Sequence, residues 1–366
     1  MVVTETDSRT TKKPPVAAVC WTVVALALVG SIAYHARSGA VSPRIRNPEV
    51  TGAPRPVEFL FGFTHWIDVW QIFTIFSVPA LIIVCVMAWR RNPGSPIVMM
   101  AIVTTAIVWQ DPFMNWSPYA VYNPELWHWP EDWPWVSLSP TVEPFVVIGY
   151  VMFQFGPYFP AVWILRKLQA RRSADAFVTR HPLFCLAALI FVIGFLFDMV
   201  LELTLVRTGL YIYSQVIPFG SIFVGSPFQF PLIWESVMVT FVMIPAGLLV
   251  YRDDTGRTVA EKLARRARLF TNRPRVGTFI VMFVIVNLAY FCYGAGYTLI
   301  KMSGAATSVA CPWPYPEAKI YDPQGYYEQN GQQGPYSVGI MSTFMTGQPD
   351  GRPNVSLPAD GGRCGH

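Results

Sequence analysis

Charge is what this chain has least of. It contains 27 Lys and Arg and 22 Asp and Glu in 366 residues, so 13% of its side chains are charged. Soluble domains carry about a quarter, so an ordinary water-soluble globular protein is excluded. Cysteine is sparse too. The six cysteines make no C-x-x-C pair and no His/Cys spacing suited to a metal. There is no Walker A loop, no G-x-G-x-x-G after a strand, and no internal repeat. The sequence therefore offers no reason to expect a metal or a cofactor.

What is abundant is apolar. Hydrophobic residues make up 53% of the chain and aromatics 15%. Seven apolar runs approach the ~17–25 residues that a bilayer requires. They cover residues 16–34, 68–89, 97–112, 142–165, 183–204, 231–250 and 276–300. The aromatic stretch 211–230 leaves the count open, since it could dip into the membrane without crossing it. The expected fold is an all-α integral membrane protein, a bundle of about seven transmembrane helices with aromatic-rich outer loops. Residues 1–15 read as a disordered cytoplasmic N-terminus, 16–300 as the helical domain, and 301–366 as an exported Gly/Pro-rich tail. The first run reads as an uncleaved anchor.

Basic residues set the orientation. With the N-terminus inside, the inner segments hold 18 of the 27 Lys and Arg, which satisfies the positive-inside rule and places the C-terminus outside. The runs R-K-L-Q-A-R-R and K-L-A-R-R-A-R are topology anchors on this reading, and no nucleic-acid partner is expected. The protein is expected in a bacterial plasma membrane as a multi-pass chain. The tail's Cys311 and Cys364 form a candidate disulfide on the exported side.

The acids break the apolar pattern. Asp198 and Glu202 are four residues apart, hence on one face of a helix. An Asp at the bilayer centre costs about 2.5–3.5 kcal/mol even on lenient scales, so such groups normally face a polar cavity or a partner. Arg207 is the natural local partner for Glu202. Asp111 precedes Pro112, which breaks the third run beside Asn115. Glu143 opens the fourth run, which Gly156, Pro157 and Pro160 should kink, and Glu235 sits one turn inside the sixth. With Asp68, these acids come from five runs and all lie toward the outer end. Asn287, Tyr290, Tyr293 and Tyr297 share a face of the last run; the tyrosines either pack or line a pocket. The outer segment 117–141 has no Lys or Arg and carries Trp127, Trp129, Trp133 and Trp135, suiting either an interfacial belt or a lid.

Carboxylates gathered from several helices suggest one polar chamber. Desolvation and like charge let one acid hold its proton while a neighbour stays ionised. That inventory suits acid–base chemistry on a lipophilic molecule. A proton-coupled transporter fits the same acids, as does a non-catalytic partner of another membrane protein.

The strings W-Q-D-P-F-M-N-W at 109–116, F-D-x-x-x-E at 197–202, G-L-Y-I-Y at 209–213 and F-Q-F-P-L-I-W-E at 228–235 resemble the AveC-like spirocyclase family of actinobacteria, over about residues 60–300. The resemblance implies a membrane protein that closes a dihydroxy-ketone into a spiroketal, with dehydration as a possible second step, as the namesake does in avermectin assembly. Residue roles come from the acids themselves. Asp198 or Glu202 is the candidate acid and Asp111 the candidate base or cation stabiliser. Glu235 and Glu143 are candidates for tuning them. Trp109, Asn115, Trp116, Tyr211, Tyr213 and Gln229 are the candidate substrate-binding residues. The expected substrate is a lipophilic polyketide, isoprenoid or sterol-like compound drawn from the bilayer.

Overall fold

The computed structural model describes residues 57–131, 133–303 and 305–310, with Pro314, Tyr315 and Ala318. In the N-terminal unit, Met1–Ser42, it describes only Thr22, Val23, Leu26, Ala27, Gly30 and Tyr34, all helical. Most of the first expected span, the polar N-terminus, Asp132, Cys311 and Cys364 lie outside the described residues.

Proline and glycine punctuate the chain into helices. Helix α1, Trp66–Arg91, ends before an Asn-Pro-Gly turn in which Gly94 has φ +82°. Helices α2 (Pro96–Ala106), α7 (Pro182–Arg207) and α10 (Pro274–Met302) each start on a proline, whose missing N–H is no loss in a first turn. A 3₁₀ stretch, Ile107–Gln110, carries α2 into the single turn α3, Asp111–Met114. The fourth run is broken as its Gly and Pro content predicts. It comprises α4 (Val146–Tyr150), a 3₁₀ segment (Val151–Phe155), and α5 (Tyr158–Ala170) after Pro157. The short α6, Phe177–Arg180, precedes α7. Helix α8, Leu232–Val250, and the amphipathic α9, Val259–Arg266, complete the set before α10. A Thr258/Glu261 capping box starts α9.

Among the described residues, six helical stretches are long and apolar enough to cross a membrane: Trp66–Arg91, Pro96–Met114, Val146–Ala170, Pro182–Arg207, Leu232–Val250 and Pro274–Ile300. They coincide with the last six expected runs. Helix α8 is the hub and packs on α7, α10, α2 and α5. Outward-facing side chains such as Phe76, Ile83, Phe184, Val200, Phe241 and Leu288 are exposed. So much apolar surface would be untenable in water and is ordinary against acyl chains. These features are those of a chain built to sit among acyl chains, as six helices of that length and apolarity suggest.

The stretch after α7 forms strands and turns and no crossing helix. Gly209, at φ +76°, turns the chain into β2, Tyr211–Tyr213, which pairs antiparallel with β1, Ala120–Tyr122. A Cβ at Gly209 would strike the ring of Phe59. Strand β3, Gln215–Val216, pairs with β4, Ser308–Val309. The first part of the 301–366 segment is therefore pinned to the bundle, and Tyr315 and Ala318 pack in one cluster with Trp116 and Ile212.

Candidate functional site

Strand geometry builds one wall of the site. The β1–β2 register pairs Tyr122 with Tyr211 and Ala120 with Tyr213. With a two-residue period, these four side chains share one face, and all four line a cavity at that end of the bundle. Val121 and Ile212 point to the opposite face and pack with Trp116 and Tyr119.

Helices build the other walls. Asp111, Glu202 and Glu235 line the cavity from three different spans, together with Asn115, Gln154, Tyr290 and Tyr293. Pro112 cannot donate a backbone hydrogen bond, and the chain turns there. The Asn115 amide then donates to the Asp111 carbonyl at 2.8 Å and to its Oδ2 at 2.9 Å. The Tyr122 hydroxyl donates to Oδ2 and the Tyr290 hydroxyl to Oδ1, both at 3.4 Å. Glu202 accepts at one oxygen, Oε2, from the hydroxyls of Tyr211 and Tyr213, the latter at 3.0 Å. Glu235 accepts from the Tyr293 hydroxyl at 2.5 Å.

Two further acids stand behind these three. The Glu143 carboxyl interacts with that of Asp111 and accepts from the Ser139 hydroxyl at 2.8 Å. Asp198 lies one turn from Glu202, is 0% exposed, and faces Ser236 of α8. Among the described residues, no hydrogen bond of ordinary length reaches either of its carboxylate oxygens. Five of the six acids singled out from the sequence therefore converge. Asp68 does not: its side chain is 62% exposed and pairs with His65 at 3.0 Å.

The expected Glu202–Arg207 pair does not form. The Arg207 guanidinium lies over the rings of Phe228 and Phe223, 4.2 and 5.6 Å from their centroids. Two phenols supply Glu202's hydrogen bonds instead. Of the candidate substrate-binding residues, Asn115, Tyr211 and Tyr213 line the cavity, and the other three sit off it. Trp109 donates to Asn287 Oδ1 at 2.7 Å and lies against Trp135 with the rings tilted by 35°. Trp116 donates to the Leu138 carbonyl at 2.7 Å. Gln229 is fully buried and bridges the Tyr213 carbonyl to Ser308, which stitches the β-ribbons together.

Tyr122 and Gln154 carried no signal in the sequence. Tyr122 falls in a segment with no periodic pattern, and only the β1–β2 pairing turns it inward. Gln154 lies in the 3₁₀ break, where its Oε1 is buried and accepts no hydrogen bond among the described residues. Tyr290 and Tyr293 were legible as a helical face, and the lining alternative is the one realised; Tyr297 is buried beside them. The tryptophan-rich segment is fastened to the Glu143 side, with Trp129 N donating to the Glu143 carbonyl at 3.0 Å and Phe145 N to the Trp127 carbonyl at 2.9 Å.

Two groups of the site outside the spans have displaced acidities. Burial foremost, then the charge of Asp111, pushes Glu143 well above the usual carboxylate range. Burial foremost, then Glu202, pushes the Tyr213 phenol up as well, so it remains a neutral donor. The Glu143 shift has a definite sign in stability. A carboxyl whose folded pKa is raised binds its proton more tightly in the fold than unfolded. Its contribution is complete below about 4.5, the unfolded value, and is lost as pH rises toward the folded value. Thermal melts of detergent-purified protein are thus expected to fall from pH 4.5 upward, and Glu143→Gln to flatten that fall. A variant with the same slope as wild type would show that Glu143 is not the group responsible.

The cavity measures about 60 Å³, room for a few waters, whereas sites for drug-sized ligands run to ~300–1,000 Å³. An organic substrate of that size would need the cavity walls to move apart. A family model described as Spirocyclase AveC-like matches residues 89–321. That interval contains every residue lining the acid cavity. No curated protein and no solved structure matches this chain. The match covers more than half of the sequence, and the chain belongs to the AveC-like spirocyclase family.

Proposed function

We propose that this member of the AveC-like spirocyclase family is a membrane-embedded cyclase or dehydratase of the spiroketal-forming type. It would work by carboxylate acid–base catalysis on a lipophilic polyketide, isoprenoid or sterol-like compound. The observation that carries this reading is the meeting of Asp111, Glu202 and Glu235, from three spans, around one cavity walled by tyrosines.

The reaction balances without a cofactor. A hydroxyl adds to a ketone and gives a hemiketal. An acid protonates the hemiketal hydroxyl, water leaves, and an oxocarbenium ion remains. The second hydroxyl captures it and gives its proton to a base, for a net loss of one water. The geometry favours the Asp111·Glu143 pair as the donor: two interacting carboxyls share a proton readily, and Glu143 is placed to refill Asp111. Glu202, with two phenols converging on one oxygen, is the base and cation stabiliser. These roles reverse those expected from the sequence, because Asp198 does not reach the cavity. Tyrosine faces would stabilise the passing cation. Gln154 offers a free acceptor to a substrate hydroxyl.

On this reading the chain has seven spans, with the first in residues 16–34, its N-terminus in the cytoplasm and its C-terminus outside, in a bacterial plasma membrane. The acid end then faces outward. A second reading, a proton-linked transporter, draws on the water-sized cavity, which suits a proton path better than a resting substrate site. Incubating purified protein in detergent with lipid extract separates the two. The enzyme converts a compound to one lighter by a water, with no membrane gradient present. An extract unchanged by mass and retention, alongside proton-dependent uptake in vesicles, would favour transport.

A further inference from the structure

At the opposite end of the bundle, the α9–α10 connection and the turn before α2 enclose a pocket of about 490 Å³. Three guanidinium groups line it from three separate segments: Arg257 before α9, Arg265 on α9, and Arg275 in the first turn of α10. None of the three forms an ion pair among the described residues. One carboxylate, Glu261, also lines the pocket, so three arginines face a single acid there. Its Oε2 is turned to the Thr258 backbone and hydroxyl in the capping box, and Asp253 holds Lys262.

The position of Arg275 is the telling feature. A helix N-terminus carries partial positive charge, so a cation in its first turn is disfavoured. Here an arginine with no ion-pair partner among the described residues occupies that turn of a 29-residue helix, and two more arginines line the same pocket. Gly94 permits this. A Cβ there would meet Arg275 Cδ at 2.5 Å, so the guanidinium stem lies directly on the turn backbone. An anion bound between the three arginines would offset their repulsion and meet the helix terminus as well.

The remaining walls say what carries the anion. Met99, Ala264 and Leu269 give the pocket an apolar side, and Leu263, Leu269, Phe270 and Val276 are exposed around it. An amphipathic helix with exposed apolar residues beside arginines, at the end of membrane-spanning helices, suits the boundary between headgroups and acyl chains. We propose that Arg257, Arg265 and Arg275 form a binding site for a phosphate-bearing anion, supplied by the headgroup of an anionic phospholipid. This site is independent of the chemistry at the acid end.

The test uses full-length protein purified in detergent and native mass spectrometry with added phosphatidylglycerol, cardiolipin, phosphatidylcholine or inorganic phosphate. Phosphatidylglycerol or cardiolipin should be retained as a discrete adduct, and phosphatidylcholine should not. Each arginine near an anionic surface contributes about fivefold in affinity. Arg257→Gln, Arg265→Gln and Arg275→Gln should each weaken retention by about that factor, and the triple variant by roughly a hundredfold. Arg171→Gln with Arg172→Gln removes two exposed charges away from the pocket and should leave retention unchanged. Equal loss in that control, or an undiminished adduct in the three single variants, overturns the proposal. Protection by inorganic phosphate without preference among the lipids overturns the lipid source and assigns the pocket to a soluble phosphate.

Discussion

Asp111→Asn and Glu202→Gln are each expected to lower conversion by about 10²–10⁴-fold while the protein stays in the membrane at wild-type level. Both amides keep the size and most hydrogen bonds of the acids they replace. The amide at position 111 would still meet Asn115, Tyr122 and Tyr290, which hold Asp111 in the wild type. The amide at position 202 would still accept from Tyr211 and Tyr213. What each substitution removes is the ability to give or take a proton. The readout is the rate at which the substrate peak in a lipid extract is replaced by one lighter by a water. The Trp109→Phe variant is the control, because its indole serves Asn287 and not the cavity. Wild-type rates in both amide variants would remove the acids from the chemistry and leave them a structural role.

The second large effect runs in the opposite direction for stability. Asp198→Val is expected to stabilise the fold by about 1–3 kcal/mol, read as a rise of a few degrees in Tm. Asp198 is fully buried, and no ordinary hydrogen bond reaches either of its oxygens among the described residues. Burying a polar group without such compensation is costly, and an apolar side chain of similar size escapes that cost. Conversion should fall only about tenfold, the scale of a ~1.4 kcal/mol electrostatic effect. The reason is that Asp198 stands beside Glu202 and acts on it through charge without lining the cavity. A destabilised variant would mean that the Asp198 carboxyl gains more from its surroundings, the facing Ser236 hydroxyl included, than its burial costs. A group that weakens the fold yet supports turnover is the pattern expected where function sets the sequence.

Six of the spans, their approximate limits and the gathering of the acids at one end were legible in the primary structure. The physical reason is that a bilayer acts as solvent on every residue in turn. A run of apolar side chains commits to it whatever its neighbours do, and a carboxyl in such a run needs a polar setting wherever the helices dock. The break at Pro112 and the kink at Gly156–Pro157 were legible for the same local reason, a missing backbone donor. Which acids would share a wall depended on the rotation of each helix, and α8 sets that by packing against helices on several sides, α7 and α10 foremost. That packing seals Asp198 away and brings Glu235 forward. Glu202's partners were decided by the β1–β2 register, which joins residues about ninety positions apart and delivers two phenols where local spacing suggested Arg207. Loop pairing of that range leaves no periodic trace in the chain, so Tyr122 and Gln154 became visible only once the bundle had closed around them.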